Sequence, residues 1–102
     1  MKLVQLLLPA RDSEGKLLPS TVSTDTRAEL IAKFGGLTAY LRTPASGVWA
    51  DEEGRVERDE VVMVEVVVGT FDRAWWNAYA RRIADRFDQK QMHIRVIPVE
   101  LL

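Results

Sequence analysis

Glu65 is the lone charge in Val61-Val62-Met63-Val64-Glu65-Val66-Val67-Val68, and Gln5 is the lone polar residue between Leu3 and Leu8. Near the C-terminus His93 and Arg95 alternate with Met92, Ile94 and Val96, and Tyr40 stands in the alternating stretch Leu37 to Arg42. A carboxylate or imidazole half-buried among aliphatic groups is suited to general acid–base work. Glu65 and His93 are therefore the candidate catalytic groups. Gln5, Tyr40 and Arg95 are candidates to orient a substrate beside them, and Trp49 is the remaining candidate binding residue. The preferred reading of Glu65 is plainer: it pairs with Arg95 or Arg42, across a sheet or a dimer interface, and fixes register.

Other chemistries find no residues to carry them. The chain has no cysteine, which excludes disulfides, thiolate metal sites and cysteine nucleophiles. His93 is the single histidine, with no HxH or HxxxH partner, so no metal site is expected. No serine stands in a G-x-S-x-G elbow. Gly35-Gly36 lacks the GxGxxG and GxxxxGK[ST] contexts and ends a helix rather than starting one, which sets aside a phosphate-cradling loop. The acids of residues 43–60 do not follow the order of a calcium loop. No cofactor is called for.

The elements that must position these groups turn on Phe34-Gly35-Gly36-Leu37-Thr38-Ala39-Tyr40. Helical patterning runs up to Phe34, Gly35 suits a left-handed helix end, and from Leu37 the period becomes two. Residues 2–8 read as a strand that is apolar on both faces, ended by Pro9, with a polar turn over Arg11 to Lys16. A helix is predicted from about Ser20 or Thr24 to Phe34, with Thr26-x-x-Glu29 resembling a capping box and Leu30, Ile31 and Phe34 as its apolar stripe, extended back through Val22 and Thr26. A second strand covers about Leu37 to Arg42. Residues 43–60 read as a long, acidic connection broken by Pro44, Gly47 and Gly54, in which Trp49 is either tucked under the domain edge or kept for a partner. Val61 to Val68 is the strongest strand, again apolar on both faces. Thr70 or Asp72 caps a second helix running to about Gln89, with Trp76, Tyr79 or Ala80, Ile83 and Phe87 on one face. Trp75 and Trp76 cannot point the same way, so one goes to the core and the other to a margin. The last strand runs from Gln91 to about Val99.

Strand, helix, strand, strand, helix, strand is the split βαβ, or ferredoxin-like, plan: α+β, with a four-stranded antiparallel sheet of order 4-1-3-2 and two helices on one face. The two strands that are apolar on both faces are the ones this plan makes central. The helix-facing positions (Val4, Leu6, Leu8; Leu37, Ala39, Leu41; Val62, Val64, Val66; Met92, Ile94, Val96) are all apolar. The outer positions mix Leu3, Leu7, Met63, Val67 and Ile97 with the candidate site residues. A face left to water should alternate to polar residues. Leaving these groups wet forgoes about 1.5–3 kcal/mol each, so a second copy, the 43–60 connection, a partner or a ligand should cover that face. A homodimer burying about 1,200–2,000 Å² in total would do so.

With 102 residues, 47% of them hydrophobic, the chain is expected to form one domain over residues 1–102 with a real core. The net charge of −1 gives no general attraction to nucleic acid or to an anionic membrane. RNA binding on this plan needs stacking aromatics on the central strands, where Gln5, Leu7, Met63, Glu65 and Val67 stand instead. No nucleic acid and no membrane are expected as partners. The apolar run at the start is too short to span a bilayer, and the cytoplasm is the expected location.

Phe34-Gly35-Gly36-Leu37-Thr38-Ala39-Tyr40, Gly47-Val48-Trp49 and Asp72-Arg73-Ala74-Trp75-Trp76 together resemble a group of small uncharacterised bacterial proteins, over nearly the whole chain. That resemblance implies no activity and no site residues. The expected function is a small cytosolic binding or interaction module, homodimeric through the open sheet face, to which a small-molecule ligand could also bind. The alternative is a cofactor-free enzyme acting on a small, partly apolar substrate over the sheet, with Glu65 or His93 as the acid–base group.

Overall fold

The computed structural model describes residues 1–50 and 56–102, with the side chains of 41–50 and 56–60 outside the description. Its elements are β1 (Lys2–Pro9), α1 (Ser20–Phe34), β2 (Thr38–Ala50), β3 (Val56–Val68), α2 (Arg73–Arg86) and β4 (His93–Pro98). The sheet order is β2-β3-β1-β4, with every neighbouring pair antiparallel. The two strands that are apolar on both faces, β1 and β3, lie at the centre as expected. The fold is ferredoxin-like, α+β.

One face of the sheet meets both helices. Val4, Leu6, Leu8, Val64, Val66 and Val68 are buried there with Leu30 of α1 and with Trp76, Tyr79 and Ile83 of α2. In α1 the inward residues are four apart: Val22, Thr26, Leu30 and Phe34. Ile31, expected on this stripe, is 48% exposed, because one step from Leu30 rotates it about 100° away from the sheet. In α2 the adjacent tryptophans separate as expected. Trp76 is buried, and Trp75 is half-buried at the margin, edge-on to Phe34 at 5.4 Å and capped by Lys33 Nζ at 4.5 Å.

The helix ends follow local chemistry. Asp72 caps α2, its carboxylate accepting from the Trp75 N–H at 3.1 Å. Gly35 closes α1 at φ +86°, its N–H donating to the Ile31 carbonyl at 2.8 Å. An added Cβ at Gly35 would meet nothing within 4 Å, so Gly35→Ala should cost only the left-handed backbone penalty, about 1–2 kcal/mol. A urea midpoint lowered by that much, with unchanged helix content, is the expected outcome.

Two further sequence expectations are corrected. Thr26 and Glu29 form no capping box: α1 begins at Ser20 behind Pro19, with no side-chain cap. The T-x-x-E spacing also places both residues on one face of a helix, and here that face turns toward α2. The connection expected over 43–60 is largely strand. β2 and β3 continue pairing from Ala45↔Val61 to Ala50↔Val56, after a register shift between Tyr40 and Ala45. Pro44, which has no N–H to give the ladder, falls within that shift. β1 pairs β3 only over Val61–Val68, so the outer part of the hairpin is a two-stranded ribbon. Such a ribbon has no sheet-wide buried face to impose an alternating pattern.

Candidate functional site

The face away from the helices is organised in rows by strand register. Glu65 on β3 stands opposite Gln5 on β1, which stands opposite Arg95 on β4, and Thr38 on β2 completes the row. The next row holds Tyr40, Met63, Leu7 and His93, and the row on the other side holds Val67, Leu3 and Ile97. A polar stripe thus crosses the middle of an aliphatic surface. Of the aliphatic groups, Val67 is 43% and Ile97 37% exposed, while Leu3, Leu7 and Met63 are half-buried.

Five of the six site residues expected from sequence share this face. Glu65 is half-buried, and its carboxylate accepts from Gln5 Nε2 at 2.9 Å and from the Tyr40 hydroxyl at 3.4 Å. Arg95 does not pair with it within the chain, because Gln5 stands between the two in register. Arg95 Nε instead donates to His93 Nε2 at 3.1 Å, which makes that nitrogen the acceptor. The structure therefore groups Gln5, Tyr40 and Glu65 on one flank, and His93 and Arg95 on the other. Trp49 belongs to β2, and its side chain lies outside the described residues, as does that of Arg42.

A second polar cluster joins the helices. Arg86 donates to Glu29 through two nitrogens, Nη2 at 2.7 Å to Oε1 and Nη1 at 2.9 Å to Oε2, and also to Thr26 Oγ1 at 3.0 Å. The Tyr79 hydroxyl donates to Glu29 Oε2 at 2.9 Å, and Arg82 approaches the same oxygen at 3.6 Å. Thr26 is fully buried and donates back to the Val22 carbonyl. The Arg86 hydrogen bonds hold the Glu29 carboxyl below its usual range against some desolvation. Burial first, and then the bond to Glu29, push the Tyr79 hydroxyl up. The tie from Arg86 to Glu29 was not among the sequence expectations. The available signal was that Tyr79, Arg82 and Arg86 recur at i, i+3 and i+7, on one face of α2.

Arg86→Met should cost about 1–3 kcal/mol at neutral pH, less than the ~3–5 of a fully buried broken pair, because water reaches a third of Glu29. Glu29 titrates lower when folded, so its contribution is present above its ordinary value near 4.5 and is lost as pH falls through the lowered one. The gap between wild type and Arg86→Met should accordingly be constant near neutrality and narrow below about pH 4.5. Urea melts across pH 3–7 check both statements.

A groove of about 480 Å³ runs between α2 and the edge strand β4. Trp76, Ala80, Ile94 and Val96 contribute apolar surface to it, and Arg73, Arg81, Asp85 and Lys90 contribute charge. No sequence motif pointed to it, since it arises from the spacing between two separate elements.

Comparison with solved structures returns the same architecture. A phage SAM lyase in complex with S-methyl-5'-thioadenosine superposes with a TM-score of 0.63 at 8% identity, covering 93% of this chain and 78% of that one. A mutant of CutA1 from Pyrococcus horikoshii OT3 gives 0.60 at 15% identity, covering 100% of this chain and 86% of that one. CutA of Pyrococcus horikoshii in 3 M guanidine hydrochloride gives 0.58 at 16%, covering 100% and 87%. At these identities the likeness establishes the fold and nothing finer. No family model matches the chain, and no curated protein matches its sequence. Among the described residues, no helix is long and apolar enough to cross a membrane.

Proposed function

We propose that this chain is a small cytoplasmic binding or interaction module that works as a homodimer through the outer face of its sheet. The observation that carries this reading is the make-up of that face. Leu3, Leu7, Met63, Val67 and Ile97 surround the polar stripe, and both helices pack on the opposite side. Covering each of these groups contributes up to about 1.5–3 kcal/mol. The stripe does not forbid this, because Glu65 already holds two donors of its own chain, and a hydrogen-bonded polar group is less costly to desolvate than a bare one. Sedimentation equilibrium tests the proposal: the expected mass is twice 11.6 kDa, and a single-chain mass up to high micromolar concentration contradicts it.

A second reading has one observation in its favour. Glu65 and His93 lie on the same face, in adjacent rows, with β1 between their strands. They could flank a small, partly apolar substrate as acid and base, with Gln5, Tyr40 and Arg95 orienting it. Mass spectrometry of denatured protein should then find a co-purifying small molecule that Glu65→Gln loses while keeping fold and mass. Equal retention by the variant contradicts this reading.

A further inference from the structure

The register of the outer face allows a second copy to be placed, and its charges choose between orientations. Two sheets packed face to face through a two-fold axis must have that axis in the plane between them. An axis running along β1 preserves the rows and exchanges the flanking strands, so that β3 of one copy lies over β4 of the other. Each row then meets itself reversed. Val67 falls over the partner's Ile97, and Leu3 and Leu7 each meet their own copies beside the axis. Glu65 falls over the partner's Arg95, and by symmetry Arg95 over the partner's Glu65. An axis running across the strands through the polar stripe does the opposite, setting Glu65 over the partner's Glu65 and Arg95 over the partner's Arg95.

We infer that the second copy is held in the first of these orientations, with two Glu65–Arg95 pairs crossing the interface. This inference rests on the sheet-face pairing proposed above. Within one chain Gln5 separates Glu65 from Arg95, so the arginine has its carboxylate counterpart in the other copy. Packed sheets stand about 10 Å apart, a gap that a glutamate and an arginine reaching from opposite sides can close. Aligned packing turns one sheet by about 30° on the other. One strand spacing from the axis, that turn displaces a residue by about 2–3 Å, less than one step along a strand. Like charges opposed across an interface are strongly unfavourable, and opposed unlike charges fix register and partner. Glu65 and Arg95 thus act as the positioning pair of a self-complementary surface.

Charge reversal tests this. Glu65→Arg alone sets two arginines against each other twice over, and Arg95→Glu alone does the same with carboxylates. Each variant by itself should dissociate roughly 100-fold or more readily than the native protein. Mixed in equal amounts, the two variants should form a heterodimer, since both cross-interface contacts become Arg opposite Glu. The double variant should likewise regain the native dimer. If Glu65→Arg does not fold, Glu65→Lys takes its place in the same mixture. Single variants that dimerise as tightly as the native protein, or a mixture that stays as single chains, while the native protein is dimeric and Leu7→Lys dissociates it, overturn the orientation and leave the sheet-face reading standing. A native protein that is a single chain at every concentration overturns both.

Discussion

Leu7→Lys should turn the dimer into folded single chains. Leu7 lies on the central strand of the outer face, opposite Met63 on one side and His93 on the other, and its side chain is half-buried. In a lone molecule a lysine there can reach water, and none of the core residues is disturbed. In the dimer each copy forfeits the remaining burial of one leucine, up to about 1.5–3 kcal/mol, and places an ammonium near the two-fold axis. Counted over both copies, this corresponds to roughly 100-fold or more in the dissociation constant. The expected pattern is a halved mass at concentrations where wild type is dimeric, with unchanged far-UV circular dichroism. An unchanged mass would mean that the outer face is not the interface.

Phe87→Ala should cause a large loss of folding stability, about 3–5 kcal/mol. Phe87 is fully buried where α2 ends, its backbone N–H donating to the Ile83 carbonyl at 2.9 Å. Its ring borders a cleft of about 180 Å³ with Leu8, Leu18, Val22 and Val62, residues of β1, the following turn, α1 and β3. Removing the ring therefore loosens four elements at one point and leaves a gap in the wall of that cleft. For a domain of this size, whose total stability is typically about 5–15 kcal/mol, that is a substantial fraction. The urea midpoint should fall accordingly with little change in m-value. A loss below about 1 kcal/mol would show that the surrounding side chains collapse into the gap.

What could be read from sequence divides along a physical line. β1 and β3 announce their central position because both of their faces are apolar, and Gly35 announces a helix end because only its backbone freedom explains it there. Trp75 and Trp76 had to diverge because adjacent helical residues do. The hairpin beyond Tyr40 was hidden, since a two-stranded ribbon outside the main sheet leaves no alternation to detect, and Pro44 reads as a breaker until it is seen inside a register shift. Thr26 and Glu29 misled because one spacing serves both a cap and a shared helix face, and only the approach of Arg86 decides between them. For the outer face, the residue set was readable from period two. The pairing of Glu65 was not, because Tyr40 and Gln5 reach it through a register that composition does not encode.

The most direct test of the covered face is hydroxyl-radical footprinting across a concentration range that spans dissociation. Met63, on the outer face, should become protected as the mass doubles, while Trp75, on the helix side, should label equally throughout. Equal labelling of Met63 in both states, with protection elsewhere, would contradict the account.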